Sequence, residues 1–113
     1  MPSLSLRINL DPSGRIGPGK VELLERIAAQ GSISAGARAM GMSYKHAWEL
    51  VEEMNRLFGK PVVAARKGGQ RGGGAELTAL GLVVVGRFRA IESTAASVAA
   101  EHVAALQAEI EAA

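Results

Sequence analysis

The spacing of apolar residues changes along this chain, and each change predicts a different element. Within residues 1–10 apolar and polar residues alternate, which is typical of a strand with one buried face. In residues 20–58 three blocks follow in which apolar residues recur every three or four positions, as on one face of a helix. Residues 62–77 place short apolar runs on both sides of glycines and predict a β-hairpin. From 78 to 111 the helical spacing returns and predicts one long helix.

The segment Gly31–Phe58 indicates two short helices that are separated by Gly41. We predict that Ser34 and Ser43 cap these helices, because a serine oxygen accepts a hydrogen bond from the free amides of a first turn. Gly41 supplies the backbone freedom that a tight corner requires. Two such helices predict a helix-turn-helix, whose second helix enters the major groove of DNA. An ordinary helical hairpin in an unrelated domain is the alternative.

The second helix of this pair is amphipathic. Its predicted buried face consists of Ala47, Leu50, Val51, Met54 and Leu57. Its opening turn is polar and basic, and the predicted DNA contacts here are Ser43, Tyr44, Lys45, His46 and Trp48, together with Ser34 of the preceding helix. Lys45 can donate to guanine, and Tyr44 can contact a phosphate or a thymine methyl group. The alternative is a solvated helix start, and Trp48 fits the core and the DNA surface equally well.

The loop of the predicted hairpin, KGGQRGGG at residues 67–74, is rich in glycine and cationic. A strand, three helices, a hairpin with such a loop and a final helix are the order of a winged helix-turn-helix, in which the hairpin (the wing) contacts neighbouring backbone or minor groove. The predicted wing contacts are Arg66, Lys67, Gly68, Gly69, Arg71, Gly72 and Gly73. Glycines allow close approach to phosphates, and the cations release counterions. A solvent-exposed flexible hairpin is one alternative; a nucleotide loop is another, but GxxxxGK followed by Ser or Thr is missing.

The last predicted helix has more apolar positions than so small a core can cover. Thr78 is its predicted cap, and the three valines at 83–85 are its weak point, because β-branched residues favour strands. We expect the apolar positions to form the seam of a homodimer, namely Val84, Phe88, Ile91, Ala95 and Val98. His102 lies on the same face, where we expect an interface or capping role. The predicted fold class is therefore mainly α with a small β component: a winged helix-turn-helix followed by a long C-terminal dimerisation helix.

The distribution of charge is more informative than the formal net charge of +2. The chain of 113 residues has the length of one domain, 1–113. Between Phe58 and Ala75 there are no acidic residues, whereas after Arg89 there are glutamates and no lysine or arginine. We therefore expect the cationic surface to lie in the middle of the chain.

Composition also argues against several classes of protein. Cysteine is absent and there are only two histidines, which excludes disulfides and argues against a zinc site. There is no leader-like start and no apolar run long enough to span a membrane, so we expect a cytoplasmic protein with no membrane partner. No paired carboxylates, nucleophile elbow or metal-ligand spacing is visible, so we expect no enzyme.

The segments GSISAGARAMGMSYKHAWELVEEMNRLFG and RKGGQRGGGAELTALG resemble the N-terminal DNA-binding domain of the ModE-type molybdate-responsive transcription regulators, which are related to the LysR-type winged helix. The similarity is carried by SYK-x-AW from Ser43, by EMN at 53–55 and by A-x-LT at Ala75–Thr78, and it extends from about Lys20 to about Ile91. It implies a homodimer that binds a palindromic operator near genes for molybdate uptake or molybdenum enzymes. It also implies that the last helix and the N-terminal strand contribute to dimerisation.

One departure from that family concerns the effector. Members resembling this chain continue into small β-barrel domains that bind molybdate, whereas this sequence stops at Ala113. We therefore expect no cofactor in this chain, and a response to molybdate through a separate molybdate-binding protein, or to another signal. The alternative function is a protein-interaction adaptor that kept the winged fold without DNA binding. An enzyme that uses the glycine loop for phosphate is a third possibility.

Overall fold

A computed structural model of the protein describes residues 1–12, 14–66 and 73–112. Helices dominate and the strands are short, so the predicted mainly α class with a small β component is confirmed. In chain order the elements are β1 (Ile8–Leu10), β2 (Gly14–Ile16), α1 (Pro18–Gln30), α2 (Ile33–Ala39), α3 (Tyr44–Phe58), β3 (Val63–Arg66), β4 (Gly74–Leu77) and α4 (Ala79–Ala112).

The N-terminal strand is shorter than predicted and has a partner that the sequence did not indicate. β1 pairs with β2 in an antiparallel hairpin, with Ile8 opposite Ile16. The segment from Asp11 to Gly19 is rich in glycine and proline, but the buried side chain of Ile16 ties β2 to the core. The first helix begins at Pro18, two residues earlier than predicted, because proline suits the first position of a helix.

The cap of α2 differs from the prediction. The Ser32 hydroxyl, not that of Ser34, accepts a hydrogen bond from the Ala35 amide at 3.0 Å. The prediction for Ser34 as a cap is wrong because α2 begins at Ile33, which places Ser34 inside the first turn with its side chain exposed.

The corner between α2 and α3 agrees with the sequence prediction. Gly41 has a φ of +69°, in the left-handed region that glycine adopts without strain. The Ser43 hydroxyl accepts a hydrogen bond from the His46 amide at 3.1 Å, so the predicted cap of α3 is confirmed. The predicted apolar face of α3 points inward: Ala47, Val51 and Met54 are buried, and Leu50 and Leu57 are partly buried.

The second hairpin is joined to the start of α4 through Thr78. β3 and β4 are antiparallel, with Val63 opposite Leu77. The Thr78 amide donates to the Val62 carbonyl at 3.0 Å, and its hydroxyl donates to the Pro61 carbonyl at 2.7 Å. The same hydroxyl accepts a hydrogen bond from the Gly81 amide, which confirms Thr78 as the cap of α4. Residues 83–85 are helical, since packing against the core overrides the strand preference of valine.

The first quarter of α4 belongs to the core of its own chain. Val84 is 6% exposed and Phe88 is 2% exposed, so neither offers the exposed surface that the predicted dimer seam requires, and their assignment to that seam is corrected. Arg89 then pairs with Glu25 of α1, with its Nε and Nη2 atoms 3.1 and 2.6 Å from the two carboxylate oxygens. No residue from 89 to 112 is buried, so the rest of α4 extends beyond the core.

Candidate nucleic-acid interface

The leading turn of α3 lies at the surface. Tyr44 is 55% exposed and Trp48 is 47% exposed, and Lys45 and His46 are also exposed. Trp48 is therefore a surface residue rather than a core residue. The amides at the start of a helix carry a partial positive charge, so this turn favours an anion or a base edge.

A groove connects this turn with the second hairpin; we call it the wing-side groove. It is lined by Ile33, Ser34, Tyr44, Trp48, Val51, Glu52, Asn55, Val63, Ala64, Ala65, Gly73, Gly74 and Ala75. Four of the predicted DNA contacts line this one concave surface: Ser34, Tyr44 and Trp48 from the helices, and Gly73 from the wing. The helix start and the wing lie on one side of the protein.

Two hydrogen bonds fix the wing against the helices. The Asn55 side-chain oxygen accepts a hydrogen bond from the Val62 amide at 2.8 Å, which joins the last turns of α3 to the base of β3. The Ala75 amide donates to the carbonyl oxygen of Gly31 at 2.8 Å, which joins β4 to the end of α1. Asn55 belongs to the EMN motif on which the family resemblance rests, but no pattern in the sequence assigns it this role.

The tip of the wing is only partly described. Arg66 is exposed at the end of β3, and Gly73 has a φ of +74° just before β4. The other predicted wing contacts lie outside the described residues: Lys67, Gly68, Gly69, Arg71 and Gly72. These assignments therefore stay predictions.

The charges of α3 itself do not favour phosphate. The helix carries Lys45 and Arg56 against Glu49, Glu52 and Glu53. Glu52 accepts a hydrogen bond from the Asn55 side chain, and Glu53 lies 3.1 Å from Lys20 of α1. Attraction to a nucleic-acid backbone must therefore come largely from cations on the elements that flank α3.

Within residues 1–12, 14–66 and 73–112, no group of three or more His, Asp or Glu side chains is placed to hold a metal ion. Of the helices found in those ranges, none combines the length and hydrophobicity needed to cross a membrane.

Three relatives illustrate what the chain is similar to. It is 49% identical over 79 residues to the molybdenum-pterin-binding protein MopB of Rhodobacter capsulatus, which is 70% of this chain and 29% of that protein. It is 36% identical over 87 residues to the molybdenum transport protein ModE of Azotobacter vinelandii, which is 77% of this chain and 32% of that protein. It is 48% identical over 64 residues to the DNA-binding transcriptional dual regulator ModE of Escherichia coli K12, which is 57% of this chain and 24% of that protein. The chain thus spans a third or less of the length of these relatives.

Structure and family comparisons agree with the fold. The crystal structure of the CbnR DBD–DNA complex superposes with a TM-score of 0.59 at 20% identity, over 78% of this chain and 95% of that one. The bacterial regulatory helix-turn-helix proteins of the lysR family match residues 19–82, from the first turn of α1 to the first turn of α4. Since this match covers more than half of the chain, the protein belongs to the LysR family of bacterial regulatory helix-turn-helix proteins.

Proposed function

We propose that the protein is a sequence-specific, DNA-binding transcription regulator that binds a palindromic operator as a homodimer. The observation that carries this proposal is the wing-side groove, in which the exposed leading turn of α3 and the strands of the wing share one surface. A helix with its side chains is about 10–12 Å across, close to the roughly 12 Å width of the major groove of DNA. When α3 enters that groove, Lys45 meets base edges and the wing meets the adjacent backbone.

The second copy of the chain binds along α4 in this proposal. Beyond the core, α4 exposes large apolar side chains at Ile91, Val98, Leu106 and Ile110. Val98 is 76% exposed, and Ala95 lies between it and Ile91 at helical spacing. Two such helices that bury these positions against each other would hold the recognition helices about 34 Å apart, one turn of DNA.

We assign the regulated genes to molybdate uptake or molybdenum enzymes. The support comes from the relatives, which are named for molybdenum transport, for molybdenum-pterin binding and for transcription regulation. In this proposal molybdate is bound by a separate molybdate-binding protein or domain rather than in the grooves beside α3. Mapping of the DNA bound in cells grown with and without molybdate tests this assignment. Occupancy that is unrelated to molybdenum genes and unchanged by molybdate would overturn it.

Selection from a pool of random duplexes tests DNA binding itself. We expect the protein to enrich a palindromic sequence and to bind it with an affinity that falls steeply with salt, because several phosphates are neutralised. Replacement of Lys45 by Ala should weaken binding to the selected duplex by roughly 1–3 kcal/mol and relax the preference at one base pair. Replacement of the exposed Arg87 of α4, which lines neither side of α3, is the control. Failure to enrich any sequence would overturn the proposal and favour an adaptor without DNA binding.

A further inference from the structure

A second groove runs along α3 on the flank away from the wing; we call it the hairpin-side groove. Its lining includes Arg7, Arg15, Lys20, His46, Leu50 and Glu53. The α3 residues of this groove are 46, 50 and 53, whereas those of the wing-side groove are 44, 48, 51, 52 and 55. At about 100° per residue, these two sets lie roughly half a turn apart. The exposed front of α3 is therefore bordered by a β-hairpin on each side.

The hairpin-side groove has an excess of positive charge. Its one carboxylate, Glu53, is 3.1 Å from the ammonium group of Lys20, and Lys20 also donates to the carbonyl oxygen of Arg15. Arg7 and Arg15 make no ion pair with any residue in 1–12, 14–66 or 73–112. Two guanidinium groups are thus available for an anionic partner, and a guanidinium is well suited to bind phosphate oxygens.

The β1–β2 hairpin packs against α3 and the core. A Cβ atom built at Gly14 would lie 2.5 Å from Cδ1 of Leu57, so β2 packs closely against the last turn of α3. Ile16 is buried in the core next to it. The hairpin also precedes the segment that matches the LysR family, residues 19–82, so that family match does not account for it.

The geometry of a helix in the major groove decides what this hairpin would meet. Since α3 nearly fills the width of the groove, groups on its two flanks face the sugar–phosphate strands on either side. His46, Leu50 and Glu53 line this flank from the leading turn of α3 to its middle, and Arg7 and Arg15 line the same groove from the hairpin side. Because the carboxylates of α3 repel phosphate, the cations on these two flanks must supply most of the attraction to the DNA backbone.

We propose that the β1–β2 hairpin is a second wing, whose Arg7 and Arg15 bind the phosphate backbone on the side of the recognition helix opposite to the β3–β4 wing. This inference rests on the proposed function, because it adds a contact to the same DNA complex. It assigns the hairpin to DNA, whereas the resemblance described above implies that the N-terminal strand contributes to dimerisation.

The test compares two double variants of the full chain that lose the same charge. Arg7→Ala/Arg15→Ala removes the proposed contacts, and Arg26→Ala/Arg87→Ala removes two exposed arginines that line neither groove. Affinity for the selected duplex is measured by fluorescence anisotropy at several salt concentrations, and the oligomeric state by sedimentation. A thermal melt by circular dichroism is recorded for each variant as a check on folding.

We expect the hairpin variant to bind about tenfold or more weakly, with a salt slope reduced by about 0.9 per lost phosphate contact, or roughly 3.6 for the four arginines of a dimer. The control should keep a slope near that of the wild type. Arg7→Lys/Arg15→Lys should recover most of the slope, because the charge is retained. Equal slopes for the two alanine variants would overturn the proposal, as would a loss of affinity that is accompanied by dissociation of the dimer. If the wild type bound no duplex, the proposed function would have failed instead.

Discussion

Replacing Gly81 by alanine tests how α4 is seated on the base of the wing. Gly81 is buried in the first turn of α4, and a Cβ atom at this position would overlap the carbonyl oxygen of Val62 and lie 3.2 Å from Cβ of Leu77. A carbon and a carbonyl oxygen normally stay about 3.3 Å apart or more, so α4 and the segment before β3 must separate by roughly 1 Å. That carbonyl also accepts the Thr78 amide at 3.0 Å, which resists the movement.

The expected cost follows from these contacts. Forcing a methyl group into a packed site costs about 1–3 kcal/mol, and weakening the hydrogen bonds of Thr78 adds about 1 kcal/mol. Alanine has a higher helix propensity than glycine, which stabilises the folded state by about 1 kcal/mol. We therefore expect Gly81→Ala to lower the free energy of unfolding by roughly 1–3 kcal/mol, which is about 4–12 °C in Tm at a rate of about 4 °C per kcal/mol.

Gly86 provides a matched control in the same helix. It is exposed, and a Cβ atom built there would meet nothing within 4 Å, so Gly86→Ala should stabilise the protein by about 0.5–1 kcal/mol. Both variants and the wild type are unfolded by heat and by urea at the same protein concentration, because association would make Tm depend on concentration. A Gly81→Ala variant as stable as Gly86→Ala would refute the close approach of α4 to Val62.

Three other predictions concern the ion pair, the wing and the dimer. The hydrogen bond from Arg89 holds the pKa of Glu25 below its usual value, so this ion pair stabilises the folded protein above the unfolded pKa near 4.3, and the stabilisation is lost as pH falls through the folded pKa. Because both side chains are 38% exposed, we expect the pair to contribute at most about 1 kcal/mol. In Glu25→Gln, the free energy of unfolding in urea should therefore decrease less between pH 6 and pH 3 than it does in the wild type. A wild-type pH dependence in that variant would contradict this. Asn55→Ala should cost about 1–2 kcal/mol and speed amide exchange at Val62, whereas Glu52→Ala should leave that amide protected; equal exchange in both would count against the anchor. Val98→Glu should give an 11.7 kDa monomer in sedimentation while Ser97→Glu stays dimeric, and a dimeric Val98→Glu would rule out this seam.

Local chemistry made much of the fold predictable from the sequence. Ser43, Gly41 and Thr78 each have one residue-specific role, a cap or a left-handed corner, and each role is observed. The cap of α2 was missed because Ser32 and Ser34 both precede apolar residues, and the choice between them depends on where Gly31 ends α1. β2 was missed because its three residues contain a single apolar side chain.

The dimer seam and the grooves beside α3 were harder to predict from the sequence than the fold. Apolar residues at helical spacing show that one face of a helix is buried, but they do not show whether the same chain or a second chain buries it. The sequence therefore could not separate Val84 and Phe88, which pack in the core of their own chain, from the exposed Ile91 and Val98. The hairpin-side groove was also beyond the sequence, since Arg7 comes near His46 only through the packing of β1, β2 and α3. The pairing of a recognition helix with a wing was predictable, because the order of the elements is that of a winged helix-turn-helix.

In the proposed complex, the leading turn of α3 and the wing hold the same duplex from one side of the protein. Chemical footprinting of the selected duplex at saturating protein tests it most directly, with dimethyl sulfate for guanine N7 in the major groove and hydroxyl radicals for the backbone. We predict protected guanines in two half-sites about one helical turn apart, each with protected backbone next to it. Guanine N7 atoms that stay fully reactive in the saturated complex would contradict the account.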